Sequence, residues 1–275
     1  MPLYYSTPSG SSPTIYMFVD AASLYAHTAK ISRQFFNGTQ FEFDLKRMRM
    51  PYTRLFYYDA MPVRKVFENE DEATYLSRTE PQRKILDIMK ATDGVHVYEG
   101  DAHQRKRGQG GLEQKKVDVM IAVDMLTHTF RHNMHQAELL TGDNDFKPLI
   151  DALVREGMLT TLWYPPGSTN PELINAADSR RPISLQILWQ WMTDASRQEF
   201  TIPMQINKDP SLEPGDLLVE WTEGGEQFAL RKDFDDYLVL KNGDDLNRLN
   251  IRHSNYELLN QFCLELGYHL PTNTG

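Results

Sequence analysis

The first two-thirds of the chain alternates between short apolar runs and longer stretches in which apolar residues recur at helical spacing. The short runs are typical of strands buried in a parallel sheet. They are Ile15–Val19, Leu55–Tyr58, Val95–Tyr98, Ala137–Thr141 and Leu159–Trp163. The stretches between them predict helices over Ser23–Lys30, Phe43–Met48, Glu72–Met89, Val117–Phe130 and Phe146–Arg155. This alternation predicts an α/β fold, a doubly wound parallel sheet flanked by helices on both faces.

The residues after Pro182 follow a different pattern. A last helix is predicted over Ile183–Thr193, and the segment Phe200–Gly215 contains three prolines and little periodicity, which indicates a linker. Two apolar runs around Gly224-Gly225 then predict a hairpin of Leu217–Trp221 and Gln227–Arg231, and a helix follows over Tyr256–Leu266. We therefore divide the chain into one domain of residues 1–198 and a small α+β region of residues 199–275.

Composition narrows the class of protein without identifying its chemistry. A chain with 40% hydrophobic and 24% charged residues is typical of a globular protein. No apolar run reaches the ~20 residues that a membrane-spanning helix needs, and residues 1–14 lack the basic start of a secretory signal. The single cysteine, Cys263, excludes an internal disulfide and argues against a thiolate metal cluster. We expect a cytoplasmic protein that does not associate with membranes.

The net charge of −9 is distributed unevenly along the chain. From Phe200 onward there are 13 acidic and 6 basic residues, a balance of −7, which leaves −2 for residues 1–199. The larger part is therefore nearly neutral, and a local basic loop within it can still hold phosphates. We expect the acidic region of residues 199–275 to contact a protein partner or a second copy of the chain.

Carboxylates follow several of the predicted strands at the point where each strand ends. The first strand ends at Asp20, the second at Asp59, and the fourth runs into a segment with Asp143 and Asp145, while Asp118 opens a helix. In a parallel sheet these strand ends line one crevice. Carboxylates crowded there repel each other unless a cation lies between them, and oxygen ligands suit Mg²⁺ or Mn²⁺. Such ions activate water and clamp the oxygens of a phosphodiester.

Each of these aspartates has a simpler alternative role. Asp is common just before a helix, where its carboxylate caps free N–H groups, and Asp59-Ala60-Met61-Pro62 is also a plausible turn. The joint pattern of three strands ending in Asp favours a metal site over capping. Asp124 lies six residues after Asp118, about 120° around the helix, so we expect it to bond a neighbouring group. An aspartyl-phosphate phosphatase would need a second Asp at the position of Ala22.

Four segments of the chain together resemble a known family. They are Phe18-Val19-Asp20, Lys116-Val117-Asp118-Val119 continuing to Ala122-Val123-Asp124-Met125-Leu126, Thr141-Gly142-Asp143-Asn144-Asp145-Phe146, and Ala176-Ala177-Asp178. They are similar to the NYN domain of the LabA-like group, which belongs to the PIN-like nuclease superfamily. The resemblance covers residues 14–194. It implies a Rossmann-like, PIN-like domain with a divalent-cation site that cleaves RNA.

The resemblance assigns roles to particular residues. It implies that Asp20, Asp118, Asp143 and Asp145 are the catalytic, metal-binding positions, with Asp59 as a further candidate ligand. We expect a Mg²⁺- or Mn²⁺-dependent ribonuclease, acting as an endoribonuclease, in which the Thr141 hydroxyl orients the attacking water or a ligand. The family usually has Asn three residues after the first Asp, where this chain has Ser23. Ser23 and Thr141 are counted among the substrate-binding residues.

A basic loop precedes the second acidic motif. The segment Asp101–Lys116 is rich in glycine and in cations. Its proposed substrate-binding cations are Arg105, Arg107, Lys115 and Lys116. Because the loop leads directly to Asp118, we expect these cations to contact the phosphates of single-stranded RNA. A solvated surface loop is the alternative.

A second interpretation of the whole chain stays open. It is a non-catalytic RNA- or protein-binding regulatory module with a vestigial nuclease site, and Ser23 is its best support. Zinc is a weaker alternative: His128, His132 and His135 are spaced for one helical face, but no Glu or Cys accompanies them in ligand position.

The basic loop generates a prediction about RNA binding. Neutralising Arg105, Arg107 and Lys116 together should weaken binding of single-stranded RNA and reduce its salt dependence. Each lost phosphate contact should lower the log–log salt slope by ~0.7. Binding titrations between low and physiological salt measure this slope, and an unchanged slope would mean that the loop faces away from the RNA.

Overall fold

A computed structural model describes residues 12–62, 64, 70–101, 103–104, 112–113, 117–205, 215–241 and 249–271 of the chain. These residues fall into two compact units. The first is drawn from Met1–Lys30 and Phe43–Ile183, and the second from Ile31–Glu42 and Ser184–Gly275. Each unit has its own sheet.

The first unit is built on a parallel sheet. Its strands are β1 (Ile15–Asp20), β2 (Arg54–Met61), β3 (Val95–Asp101), β4 (His103–Gln104), β5 (Leu112–Glu113), β6 (Gln136–Leu140), β7 (Leu159–Tyr164) and β8 (Ser179–Pro182). Six of them form one sheet in the order β3-β2-β1-β6-β7-β8, and every neighbouring pair is parallel. The short strands β4 and β5 pair with each other.

Helices connect these parallel strands, as crossover connections require. They are α1 (Ala21–Phe35), α2 (Leu45–Arg49), α3 (Glu72–Lys90), α4 (Val117–Phe130), α5 (Lys147–Arg155) and α6 (Pro171–Ala176). The strand order reverses between β1 and β6, because the chain first adds β2 and β3 on one side of β1 and later adds β6, β7 and β8 on the other. A reversal of this kind opens a crevice beyond the carboxyl ends of the two central strands.

The main core lies between one face of this sheet and α4, α5 and α6. On α4 the buried residues are Val117, Ile121, Met125 and Thr129, four positions apart, so one stripe of the helix faces the sheet. Phe18, Phe56 and Leu139 meet this stripe from the strands. The opposite side of α4 is also apolar in part, since Val123 is 55% exposed and Phe130 is 60% exposed.

The second unit contains an antiparallel sheet. Its elements are α7 (Leu185–Trp191), α8 (Asp194–Glu199), β9 (Met204–Gln205), β10 (Asp216–Glu223), β11 (Glu226–Asp233), β12 (Asp236–Lys241), β13 (Leu249–His253) and α9 (Tyr256–Glu265). The strand order is β10-β11-β12-β13-β9. The turn between β10 and β11 is formed by Gly224 and Gly225, both with positive φ, which a residue with a side chain rarely adopts. Phe36, Phe41 and Phe200 pack edge to face within this unit.

The fold class predicted from the sequence is confirmed. The pattern missed α6, β8, α8, β12 and β13, the predicted basic loop contains β4 and β5, and the predicted linker contains β9. Strand β8 is Ser-Arg-Arg-Pro with every residue exposed, so it has no apolar run to find. The second strand continues to Met61, three residues beyond its predicted end at Tyr58.

The predicted division of the chain after residue 198 stays a prediction. The second compact unit begins earlier, at Ser184, because α7 and α8 belong to it together with residues 31–42. No helix in the described residues is long and apolar enough to cross a membrane.

The two sides of α4 generate a prediction about stability. Ile121 is fully buried and Val123 is largely exposed on the same helix. We expect Ile121→Ala to lower the free energy of unfolding by about 2–5 kcal/mol. The matched variant Val123→Ala should change it by less than ~0.5 kcal/mol. Urea denaturation measures both, and equal losses would contradict the orientation of α4.

Candidate functional site

The carboxylate of Asp20 is the central acceptor at the carboxyl end of the sheet. Asp20 is the last residue of β1 and is only 4% exposed. Its Oδ1 accepts the backbone N–H groups of Ala22 at 3.1 Å and Ser23 at 3.4 Å. Its Oδ2 accepts the hydroxyls of Ser23 at 2.7 Å and Thr141 at 2.8 Å. A carboxylate offers about four lone-pair positions, so these donors occupy them all.

The two hydroxyls that bind Asp20 also accept hydrogen bonds from the backbone after β6. Ser23 Oγ accepts the N–H of Gly142 at 3.0 Å, and Thr141 Oγ1 accepts the N–H of Asp143 at 3.1 Å. The two hydroxyl oxygens are 3.2 Å apart. Together with Asp20, the side chains of Ser23 and Thr141 therefore link the end of β1, the start of α1 and the segment after β6.

Thr141 is fully buried, and its hydroxyl donates a hydrogen bond to the Asp20 carboxylate. Its predicted roles, orienting the attacking water or a ligand and contacting the substrate, stay predictions. Ser23 is partly exposed, and its substrate contact stays a prediction.

Asp143 and Asp145 lie just beyond β6 and are exposed. Asp143 Oδ1 accepts the N–H of Asp145 at 2.9 Å and so caps the 3-10 turn Asn144–Phe146. The capping role that Asp often has is therefore present here. The other oxygen, Asp143 Oδ2, has no hydrogen-bond donor among the described residues.

Asp118 is the second residue of α4, and the start of that helix is set by a close contact with β3. A Cβ built on Gly100 would lie 2.5 Å from Cγ2 of Val117, so only glycine allows this approach. Burial is the largest of the effects that raise the pKa of Asp118 to about 6, and the negative charges of Asp20, Asp143 and Asp145 contribute in the same direction. A helix N-terminus favours a negative charge, but burial and repulsion outweigh that preference here.

Those interactions define the acidic cluster, which consists of Asp20, Asp118, Asp143 and Asp145. Three different parts of the chain supply its members: the end of β1, the start of α4 and the segment after β6. The structure therefore brings together the four aspartates that the sequence singled out.

Asp59 lies on β2, beside the strand that ends at Asp20, and the negative charge of Asp20 acts on it. It is inside β2, opposite Glu99 of β3, and is 3% exposed. Its Oδ1 accepts the N–H of Ala60 at 2.8 Å, and its Oδ2 accepts the side-chain amide of Gln82 at 2.7 Å. Burial raises the pKa of Asp59. The strand that was predicted to end at Asp59 continues to Met61. The role of Asp59 as a further metal ligand stays a prediction.

Asp124 also has a protein partner. Its Oδ2 accepts the hydroxyl of Tyr58 at 2.8 Å, which matches the expectation that it bonds a neighbouring group. Sequence patterns did not reveal Gln82 or Tyr58 as partners of these carboxylates. Each contact joins residues more than 20 positions apart, and neither residue type signals it.

The acidic cluster can be compared with the needs of a divalent cation. All of its donors are carboxylate oxygens, which Mg²⁺ and Mn²⁺ prefer. After burial, the negative charges of Asp20, Asp143 and Asp145 are the causes of the raised pKa of Asp118, and a cation would relieve this repulsion. Among the described residues, no three His, Cys, Asp or Glu side chains lie close enough together to hold a metal. The donor set therefore fits such a cation in chemistry.

The cations predicted to bind substrate, Arg105, Arg107, Lys115 and Lys116, lie outside the described residues.

Comparison with known proteins gives one family match. The NYN domain model matches residues 14–185. A crystal structure of a protein of unknown function from Vibrio parahaemolyticus is 19% identical, with a TM-score of 0.47; the match covers 68% of this chain and 100% of that chain. No curated protein matches the chain.

The repulsion within the acidic cluster generates a prediction about pH and stability. The pKa of Asp118 is raised in the folded protein, so the stability contributed by its protonated form is lost as pH rises through about 6. In metal-free protein, Asp118→Asn should therefore raise the melting temperature at pH 7.5. Because Asp118 is partly exposed, screening by solvent limits the gain in the free energy of unfolding to ~1 kcal/mol. This corresponds to a rise of about 2–4 °C in the melting temperature.

The gain should shrink towards pH 4.5, where folded Asp118 is already protonated. Thermal unfolding in EDTA at both pH values measures it, and exposed Asp93, changed to Asn, is the control. A gain that is the same at both pH values would mean that ionisation of Asp118 is not its cause.

Proposed function

The chain belongs to the NYN domain family, which is generally one of PIN-like nucleases, and on that premise we propose that it is a metal-dependent ribonuclease. The observation that carries the proposal is the convergence of four aspartates from three elements at the reversal of strand order. Burial is the largest cause of the raised pKa of Asp118, and repulsion by the other three aspartates adds to it. A fold does not need such a cluster for stability, since like charges in one crevice oppose folding. A site that receives a cation does need it.

The residues that would hold the cation are Asp118, Asp143 and Asp145, with Asp20 beside them. When bound, a Mg²⁺ or Mn²⁺ ion supplies a Lewis acid for the phosphodiester and lowers the pKa of a coordinated water. Asp143 would offer its Oδ2, while its Oδ1 fixes the following turn. Asp118 is held in place by the packing of Val117 against Gly100.

Asp20 has a different part in this proposal. Its carboxylate is held by two backbone N–H groups and two hydroxyls, so its position and orientation are set before any ligand arrives. The two hydroxyl donors can rotate, whereas the backbone donors cannot. Asp20 therefore provides a fixed negative charge at the centre of the crevice, and Ser23 and Thr141 hold it there.

The finer points of the proposal concern substrate and setting. We propose single-stranded RNA as the substrate, endonucleolytic cleavage, and membership of the LabA-like group, on the strength of the motifs that resemble it. Arg105, Arg107, Lys115 and Lys116 would supply cations for phosphate contacts. The acidic residues 199–275 would contact a protein partner or a second copy of the chain, in the cytoplasm.

One observation favours a second function, a non-catalytic RNA- or protein-binding module. Ser23 donates its hydroxyl proton to Asp20 and accepts the N–H of Gly142. The position where the resembling family usually has Asn is therefore occupied by a side chain whose hydrogen bonds serve the protein. Under this second proposal the chain binds RNA or a protein and does not cleave RNA.

The proposed function generates a prediction about cleavage. Asp143→Asn and Asp118→Asn should each reduce cleavage of single-stranded RNA by at least about 100-fold, because each removes a carboxylate from the acidic cluster. Both variants should keep the wild-type circular dichroism spectrum. The measurement is cleavage of an end-labelled RNA with Mn²⁺, Mg²⁺ or EDTA, with a DNA of the same sequence in parallel.

Asp93→Asn removes an exposed carboxylate elsewhere and should cleave like the wild type. Near wild-type cleavage by both cluster variants, or cleavage in EDTA, would contradict the proposed mechanism. A wild type that binds RNA but cleaves nothing with either metal would support the non-catalytic module.

A further inference from the structure

The exposed side of helix α4 carries a continuous apolar stripe. It consists of Val119, Val123, Leu126 and Phe130, which follow one another at spacings of four, three and four residues. At ~100° per residue, these positions fall within about 60° of one another around the helix. Val119, Val123 and Phe130 are each more than half exposed, and Leu126 is partly exposed. We call these four residues the α4 stripe.

The charged and titratable side chains of α4 lie away from the stripe. Asp124 accepts the hydroxyl of Tyr58, and the ring of His128 packs on Phe56, so both side chains face the sheet. Asp118 belongs to the acidic cluster at the start of the helix. The side that bears the stripe therefore carries no charge between the two ends of α4. A helix that is apolar on all sides is typical of a helix that is covered on all sides.

The α4 stripe is symmetric about its own centre. The midpoint between Val123 and Leu126 is also the midpoint between Val119 and Phe130. A second copy of α4 that runs antiparallel therefore places its Phe130 opposite Val119 and its Leu126 opposite Val123. In each pair a small side chain meets a larger one, which allows the two surfaces to interdigitate. A two-fold dimer needs a patch that is self-complementary in this way.

The charges at the two ends of α4 favour the same antiparallel arrangement. The amino end carries Asp118 beside the rest of the acidic cluster, and the exposed Arg131 follows the carboxyl end. When two copies of the helix run antiparallel, the negative end of each lies alongside the positive end of the other, and their dipoles oppose favourably. A parallel pair would bring the two acidic ends together. The occupant that fits both the stripe and its ends is a second copy of the chain.

The size of the stripe predicts the strength of this association. Helix α4 has 14 residues, which corresponds to a length of ~21 Å. A contact through one such helix is smaller than the ~800 Å² per partner of a standard interface, so we expect a weak dimer with a dissociation constant of roughly 10–100 µM.

We propose that the α4 stripe binds the α4 stripe of a second copy of the chain in an antiparallel, two-fold dimer. The inference goes beyond the proposed nuclease function and does not depend on it. Because Asp118 lies at the amino end of each α4, the dimer holds two acidic clusters at opposite ends of the helix pair, ~20 Å apart along the helix axis.

The test is sedimentation equilibrium of the full chain in EDTA, between about 1 and about 200 µM. The average mass of the wild type should rise with concentration from the 31.9 kDa of one chain towards twice that value. Val123→Glu places a carboxylate from each copy close to the two-fold axis in an apolar contact, so it should weaken association by at least about 10-fold.

A matched control separates the stripe from general surface hydrophobicity. Ile88 on α3 is as exposed as the residues of the stripe, and Ile88→Glu should associate like the wild type. Circular dichroism and thermal unfolding of both variants at the lowest concentration should match the wild type, because both positions are exposed.

A charge swap tests the antiparallel orientation. Val119→Lys alone and Phe130→Glu alone should each weaken association. The two changes combined in one chain should restore it at low salt, because each new ammonium group lies opposite a new carboxylate of the second copy.

The proposal is overturned by a wild type that stays at 31.9 kDa over the whole range, since another protein or another part of this chain would then cover the stripe. It is also overturned if Val123→Glu associates like the wild type, which would place the contact elsewhere, if Ile88→Glu has the same effect as Val123→Glu, or if the charge swap restores nothing. RNA cleavage is judged separately. A monomeric wild type that cleaves RNA with Mn²⁺ would refute the dimer and leave the nuclease in place.

Discussion

The hydrogen bonds to the Asp20 carboxylate hold the rest of the site in place. They join the last residue of β1 to the first turn of α1 and, through the hydroxyls of Ser23 and Thr141, to the backbone after β6. Strands β1 and β6 are the two central strands between which the order of the sheet reverses. A buried ionisable group needs hydrogen-bond partners to be tolerated. Here the partners of Asp20 also hold the end of β1, the start of α1 and the segment after β6 next to one another.

Placing the other carboxylates of the acidic cluster near Asp20 costs free energy, because like charges repel each other. Asp118 lies on a helix whose start is pressed against Gly100, and its pKa is raised by burial and by its acidic neighbours. The packing of α4 on the sheet, through residues such as Ile121 and Met125, outweighs this local repulsion. A preorganised site is maintained in this way, since rigid elements hold groups that would otherwise separate.

Helix α4 also links the acidic cluster to the α4 stripe. Its first turn carries Asp118, and one side of the helix packs on the sheet through Ile121 and Met125. The other side presents Val119 and Val123 to solvent. A single rigid helix therefore fixes the positions of a carboxylate of the site and of an exposed apolar surface relative to the sheet.

The sequence by itself determined the α/β fold, the central strands and the four aspartates of the acidic cluster, because buried parallel strands are continuous apolar runs and their ends coincide at one edge. It could not identify β8, whose four residues are all exposed. Only the tertiary structure decided that Gln82 is a donor to the Asp59 carboxylate, and that Thr141 is buried against Asp20. Those outcomes depend on contacts between residues distant in the chain, and local periodicity carries no information about which distant donor reaches a given carboxylate.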